Sequence, residues 1–162
     1  MQSHPNVRAV QAALDGAAAR NGSGAPTEVR LLPAAVHTAA AAADALGVQV
    51  GQIANSLVFE ADGAPLLVLT SGAHRVDTAE LAARLGVTRL RRASPAFVKE
   101  HTGQVIGGVA PVGHPTPLRT LVDTALEAYG EVWAAGGVPQ AVFPTTYAEL
   151  LRVTAGTPAE VA

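Results

Sequence analysis

The sequence contains no cysteine, which removes disulfide scaffolds, thiolate nucleophiles and cysteine-based zinc sites from consideration. Lys99 is its only lysine, so any mechanism that needs a lysine ammonium has one candidate. No apolar run approaches the roughly 18 residues of a membrane-spanning helix, and none is expected. The opening Met1-Gln2-Ser3-His4-Pro5 has neither a basic start nor a following apolar stretch, so no secretory signal is expected and the cytoplasm is the default compartment. Charged residues are only 15% of the chain and the net charge is −2. A global basic signature of nucleic-acid binding is therefore missing, although a local patch is compatible with these totals. No G-x-S-x-G elbow, P-loop or G-x-G-x-x-G occurs, which argues against serine α/β-hydrolases, P-loop NTPases and Rossmann enzymes.

What is present is a chain of 162 residues with 49% apolar content, enough for one domain with its own core. An opening helix is expected from Asn6 to Arg20, with Val7, Val10, Ala13, Leu14 and Ala17 on one face. A short strand follows at Glu28–Leu32. Thr38 reads as the N-cap of an alanine-rich helix that stops at Gly47. Ile53–Glu60 and Pro65–Thr70 flank Ala61-Asp62-Gly63-Ala64, the strongest hairpin signal in the chain. Asp77 and Ser94-Pro95 open two further helices, with a strand edge at Arg89–Arg92 between them. Val105–Val109, Leu118–Asp123, Glu131–Ala134 and Ala141–Phe143 read as short apolar strands. Thr146 and Glu149 fit a capping box for the last helix. The fold class expected is α/β (α+β), one domain over residues 1–162, with helices outside a mixed sheet.

Three groupings carry chemistry. The histidines His4, His37, His74, His101 and His114 never pair with each other at helical ligand spacing, and no metal site is expected. Glycines interrupt the apolar stretch from Gly103 to His114, and this has two readings. It is a bulge or barrel corner, or it is a close backbone approach that leaves N–H groups for a carbonyl, carboxylate or phosphate oxygen. Arg84, Arg89, Arg91 and Arg92 are either a phosphate-docking strip or an ordinary charged edge strand.

In order and spacing these segments resemble the YbaK/EbsC family, bacterial trans-editing proteins related to the inserted editing domain of prolyl-tRNA synthetase. The resemblance runs from about Asn6 to Leu151. Its marks are Thr38–Gly47, Gln52-Ile53-Ala54-Asn55-Ser56-Leu57-Val58-Phe59, Gly72 with Arg75-Val76-Asp77, and Thr102-Gly103 leading into Gly107-Gly108-Val109-Ala110-Pro111, which holds the family's G-x-x-x-P signature. The resemblance implies a mixed, barrel-like sheet flanked by helices. It implies hydrolysis of the ester joining a wrong amino acid to the 3′ end of a tRNA, with no metal or organic cofactor. The implied partner is mischarged tRNA, with an aminoacyl-tRNA synthetase as a second. On this footing Asn55, Gly107 and Gly108 are expected to be catalytic, the glycines through backbone N–H groups aimed at the developing oxyanion. Ser56, Gly72, Pro111 and His114 are expected to bind substrate, and Arg89, Arg91 and Arg92 to bind tRNA. Asn55 stands where the family carries a lysine, and it brings an amide in place of a charge. That departure keeps a second expectation open: a non-catalytic binder of tRNA or of an aminoacyl-adenylate-like ligand. Val138–Phe143 also lacks an acidic residue that some relatives carry, which makes the expected amino-acid pocket more apolar.

Overall fold

The computed structural model describes residues 3–162. In chain order the elements are α1 (Pro5–Gly16), β1 (Arg30–Leu31), α2 (Ala39–Leu46), β2 (Ile53–Ala61), β3 (Ala64–Ser71), α3 (Thr78–Leu85), β4 (Leu90–Arg92), α4 (Pro95–Thr102), β5 (Arg119–Asp123), β6 (Val132–Ala135), β7 (Ala141–Thr145), α5 (Tyr147–Thr154) and β8 (Thr157–Ala159). Short 3-10 turns occupy Val50–Gln52 and Thr124–Ala128.

The eight strands form one mixed sheet in the order β1-β7-β6-β2-β3-β5-β8, with β4 added beside β2. The long β2–β3 hairpin is its spine, with Ala54 opposite Ser71 and Ala61 opposite Ala64. The turn between them takes positive φ at Asp62 and Gly63, as an Asp-Gly pair readily does. Asp62 also accepts the Thr88 and Arg89 N–H groups, which hold its carboxyl below the usual carboxylate range. The turn thereby anchors the approach to β4.

Helix starts follow the side-chain chemistry. Thr38, Asp77, Ser94 and Thr146 each accept the N–H three residues on, at 3.1, 3.1, 3.2 and 3.1 Å. The capping box at α5 is only half made, because Glu149 turns to Arg152 and to the Arg20 N–H. The ion pair with Arg152 is the main reason the Glu149 carboxyl is held below its ordinary value.

Burial on the two faces of the sheet explains the layering. The largest cluster joins Val7, Val10 and Leu14 of α1 and Leu150 of α5 with Val58, Leu67, Leu69 and Phe143. A second cluster seats Leu81 of α3 on Phe59, Leu66 and Val68. A third holds α2 through Ala42 and Ala43 against Ile53, Trp133 and Val142. Buried Asp123 (1% exposed) closes the sheet end by accepting the Ser71 and Ala125 N–H groups, with His74 Nδ1 2.9 Å from it.

Two expectations change, and one strand has no counterpart among them. Thr157–Ala159 pair in parallel with β5. The opening helix ends at Gly16 rather than Arg20, since Ala18 takes φ +51 and turns the chain. Val105–Val109 is not a strand: it is a turn in which Val105 and Ile106 are 48% and 47% exposed. Gly107 at φ +95 cannot continue a strand, and the Gly108 N–H closes the turn on the Val105 carbonyl at 3.0 Å.

Candidate functional site

A cleft of about 280 Å³ opens between α2, the middle of β2 and the 105–109 turn. Asn55, Ser56 and Leu57 form its floor; His37, Thr38 and Ala39 form one wall. Ile106, Gly107 and Val109 form the facing wall, and Trp133 and Ala135 stand at the back. Among the described residues no aspartate or glutamate lines it, and its one permanent charge is Arg92.

Local sequence dictates each wall. The Thr38 cap starts α2 at the cleft edge, which leaves His37 just outside the helix. Gly107 takes positive φ and lies so close to His37 that a Cβ at this position would stand 3.3 Å from Nδ1. Its N–H has no protein partner among the described residues. Gly108 approaches the next turn more closely still, since a Cβ there would meet the Val138 backbone at 2.7 Å. Any larger residue at 108 forces the two turns apart.

The turn is held from behind by Gln104, which is 1% exposed. Its Oε1 accepts the Ala110 N–H at 2.7 Å, bridging the stretch that contains Gly107. Thr102 supports the same corner, with Oγ1 donating to Val98 and accepting the Gln104 N–H. Sequence reading missed Gln104 and His37. A polar residue within an apolar, glycine-rich run was the available signal for Gln104; His37 carried none beyond its place before a helix cap.

The cleft thus brings together Asn55, Ser56, Gly107 and Arg92 from distant parts of the chain. It does not gather every expected residue. The Gly108 N–H is already committed to Val105, so of the two glycines only Gly107 has an amide to offer. Gly72 lies behind the cleft, where its missing side chain lets the Val50 carbonyl and Ala39 approach. Pro111 and His114 line a separate groove with Ala9 and Ala13 of α1 and Val153 and Thr154 of α5. They sit there because Gly113, at φ +85, packs against the Val10 backbone and carries the chain under α1. Nε2 of His114 donates to the Ala110 carbonyl at 2.7 Å, and burial lowers the imidazole pKa. Both residues are thereby placed away from Asn55 and Gly107.

The arginines also divide. Arg92 reaches the cleft with its guanidinium 5.9 Å from the Phe59 ring centre. Arg91 is paired with Glu60 at 3.3 Å on the exposed side of the strand. Arg89 is exposed beside the hairpin turn. Among the described residues no group of three or more His, Asp or Glu is arranged to hold a metal ion, and no helix is long and apolar enough to cross a membrane.

Comparison with known proteins places this geometry in context. Residues 33–153 match the aminoacyl-tRNA editing domain family. Across nearly its whole length the chain superposes on a candidate trans-editing enzyme for prolyl-tRNA synthetase, with a TM-score of 0.84 and 44% identity, covering 97% of this chain and 96% of that one. The uncharacterised protein YwhH of Bacillus subtilis is 32% identical over 110 residues, covering 67% of this chain and 69% of that protein. A proline–tRNA ligase of Nitratidesulfovibrio vulgaris is 34% identical over 91 residues, which are 56% of this chain and 16% of the ligase.

Proposed function

The chain belongs to the aminoacyl-tRNA editing domain family, and from that premise we propose that it hydrolyses mischarged tRNA in trans, with its centre in the cleft between Asn55 and Gly107. The observation that carries this reading is the Gly107 N–H, without a partner among the described residues, in a wall facing the floor of Asn55 and Ser56. A water attacks the carbonyl carbon of the aminoacyl ester. The bond from that carbon to the ribose oxygen breaks, the ribose oxygen takes one of the water's protons, and the amino acid leaves as a carboxylate with the other proton released to solvent. The charge that develops on the carbonyl oxygen needs fixed donors in a site with little water. Gly107 supplies one without any side chain, and its turn is already set by Gln104 and by the Gly108–Val105 bond. The apolar back wall of Trp133, Ala135 and Val142 suits a neutral amino-acid side chain. The 2′-hydroxyl of the terminal adenosine helps to position the water, so no Ser-His-Asp set is required.

Arg92 in the cleft and Arg89 beside the hairpin turn are the residues proposed to hold the tRNA. Arg92→Ala and Arg89→Ala should each flatten the log–log salt dependence of tRNA binding by about one unit. Arg91→Ala should change it less, because Glu60 already offsets that charge. Unchanged slopes for all three would return β4 to an ordinary charged edge.

Asn55 favours a second reading, a binder that does not catalyse. Single-turnover release of amino acid from mischarged tRNAs by the wild type and by Asn55→Lys separates the two. Position 55 is exposed at the cleft, so a lysine there keeps its charge solvated and adds attraction for the oxyanion. The expected gain is about 10-fold, equivalent to about 1.4 kcal/mol. No release by either protein, with binding retained, would favour the binder.

A further inference from the structure

Strand β2 is paired with β3 along its length, but its other edge is covered only near the ends. There β6 takes Ile53 and Ala54, and β4 takes Phe59, Glu60 and Ala61. In an antiparallel pair, the N–H and C=O of successive residues point alternately to one neighbour and the other. The Ile53 carbonyl accepts the Gly72 N–H on the β3 side, at 2.8 Å. The Val58 carbonyl accepts the Ala93 N–H on the β4 side, at 3.1 Å. Odd-numbered residues of β2 therefore face β3 and even-numbered ones face away. Ser56 falls between Ala54 and Val58, with its N–H and C=O on the open edge.

Both neighbouring strands leave before reaching Ser56. Continuing the β4 register would bring Pro95 opposite Ser56, but Pro95 begins α4 and has no N–H to give. Strand β6 turns away with β7 at Ala135. The uncovered edge is one residue long and lies in the cleft floor. The Ser56 hydroxyl is also buried and unpartnered among the described residues.

We propose that Ser56 receives the aminoacyl group as a one-residue strand, its N–H donating to the ester carbonyl oxygen and its C=O accepting from the α-amino group. This rests on the deacylase reading above and names the atoms that hold its substrate. An aminoacyl ester carries its amino group and carbonyl on one Cα, which is the arrangement that a hydrogen-bonded strand pair exchanges. Among the described residues no carboxylate lines the cleft, so the acceptors they offer a substrate amino group there are neutral oxygens. The Ser56 N–H also becomes a second donor to the carbonyl attacked by water, beside Gly107.

The test uses two tRNAs that resist hydrolysis, one carrying alanine through a 3′-amide and one carrying propionic acid through the same bond. The wild type should bind the propionyl tRNA about 10-fold more weakly or worse, since it lacks only the α-amino group. Ser56→Pro removes the N–H at an edge position where proline is tolerated. It should lower kcat for deacylation about 10-fold or more, while Ser56→Ala, which keeps the backbone pair, should lower it less. If the proline variant does not fold, the two amide-linked tRNAs decide alone. Equal affinity for both in a wild type that deacylates mischarged tRNA overturns the Ser56 assignment and leaves the deacylase reading standing. A wild type that turns over no mischarged tRNA overturns both.

Discussion

Gly107→Ala is expected to slow single-turnover deacylation by about 10²-fold, the size of effect that follows loss of one oxyanion donor. At φ +95 an alanine is strained by about 1–3 kcal/mol. The new Cβ also presses on His37 Nδ1. The turn relieves both by rotating, and rotation moves the N–H that the reaction uses. KM should change far less than kcat, because the donor matters most when charge has developed on the carbonyl oxygen. Single-turnover rates at saturating protein, with circular dichroism to verify the fold, read the effect directly. A variant that is folded and fully active would remove Gly107 from the chemistry.

The second large effect is expected at a residue that touches no substrate. Gln104→Leu leaves the buried Ala110 N–H without its acceptor and releases the stretch that carries Gly107. An unpaired buried donor costs about 1–3 kcal/mol, which urea unfolding should show as a lower midpoint with an unchanged slope. Deacylation should fall about 10-fold or more under conditions where the variant is still folded, an effect on barrier height of about 1.4 kcal/mol. Lost stability with full activity would mean that the 105–109 turn is only structural.

These two residues also show where sequence reading succeeded and where it stopped. The β2–β3 hairpin and the caps at Thr38, Asp77, Ser94 and Thr146 were legible because their signals are local: an Asp-Gly turn, or a Ser, Thr or Asp before an apolar period. Val105–Val109 misled because its apolar composition suggests a strand, whereas glycine backbone geometry and the Gln104 clamp fix a turn. Gly107 and Gly108 looked equivalent in sequence, yet one N–H is free and the other closes that turn. Pro111 and His114 are close to Gly107 in sequence, but Gly113 packs them under α1. The open edge at Ser56 has no sequence signature at all. It arises from where β4 and β6 depart, and that is a property of the assembled sheet.

Water that attacks the acyl carbon of an aminoacyl ester leaves its oxygen in the released amino acid. The most direct test is to incubate mischarged tRNAs with the wild-type protein in water enriched in oxygen-18. The released amino acid and the tRNA 3′ end are then weighed by mass spectrometry against a protein-free control. Release well above the control is expected, with one labelled oxygen in the amino acid's carboxylate and none gained by the tRNA. Release no faster than the control, for every mischarged tRNA tried, would contradict deacylation by this protein.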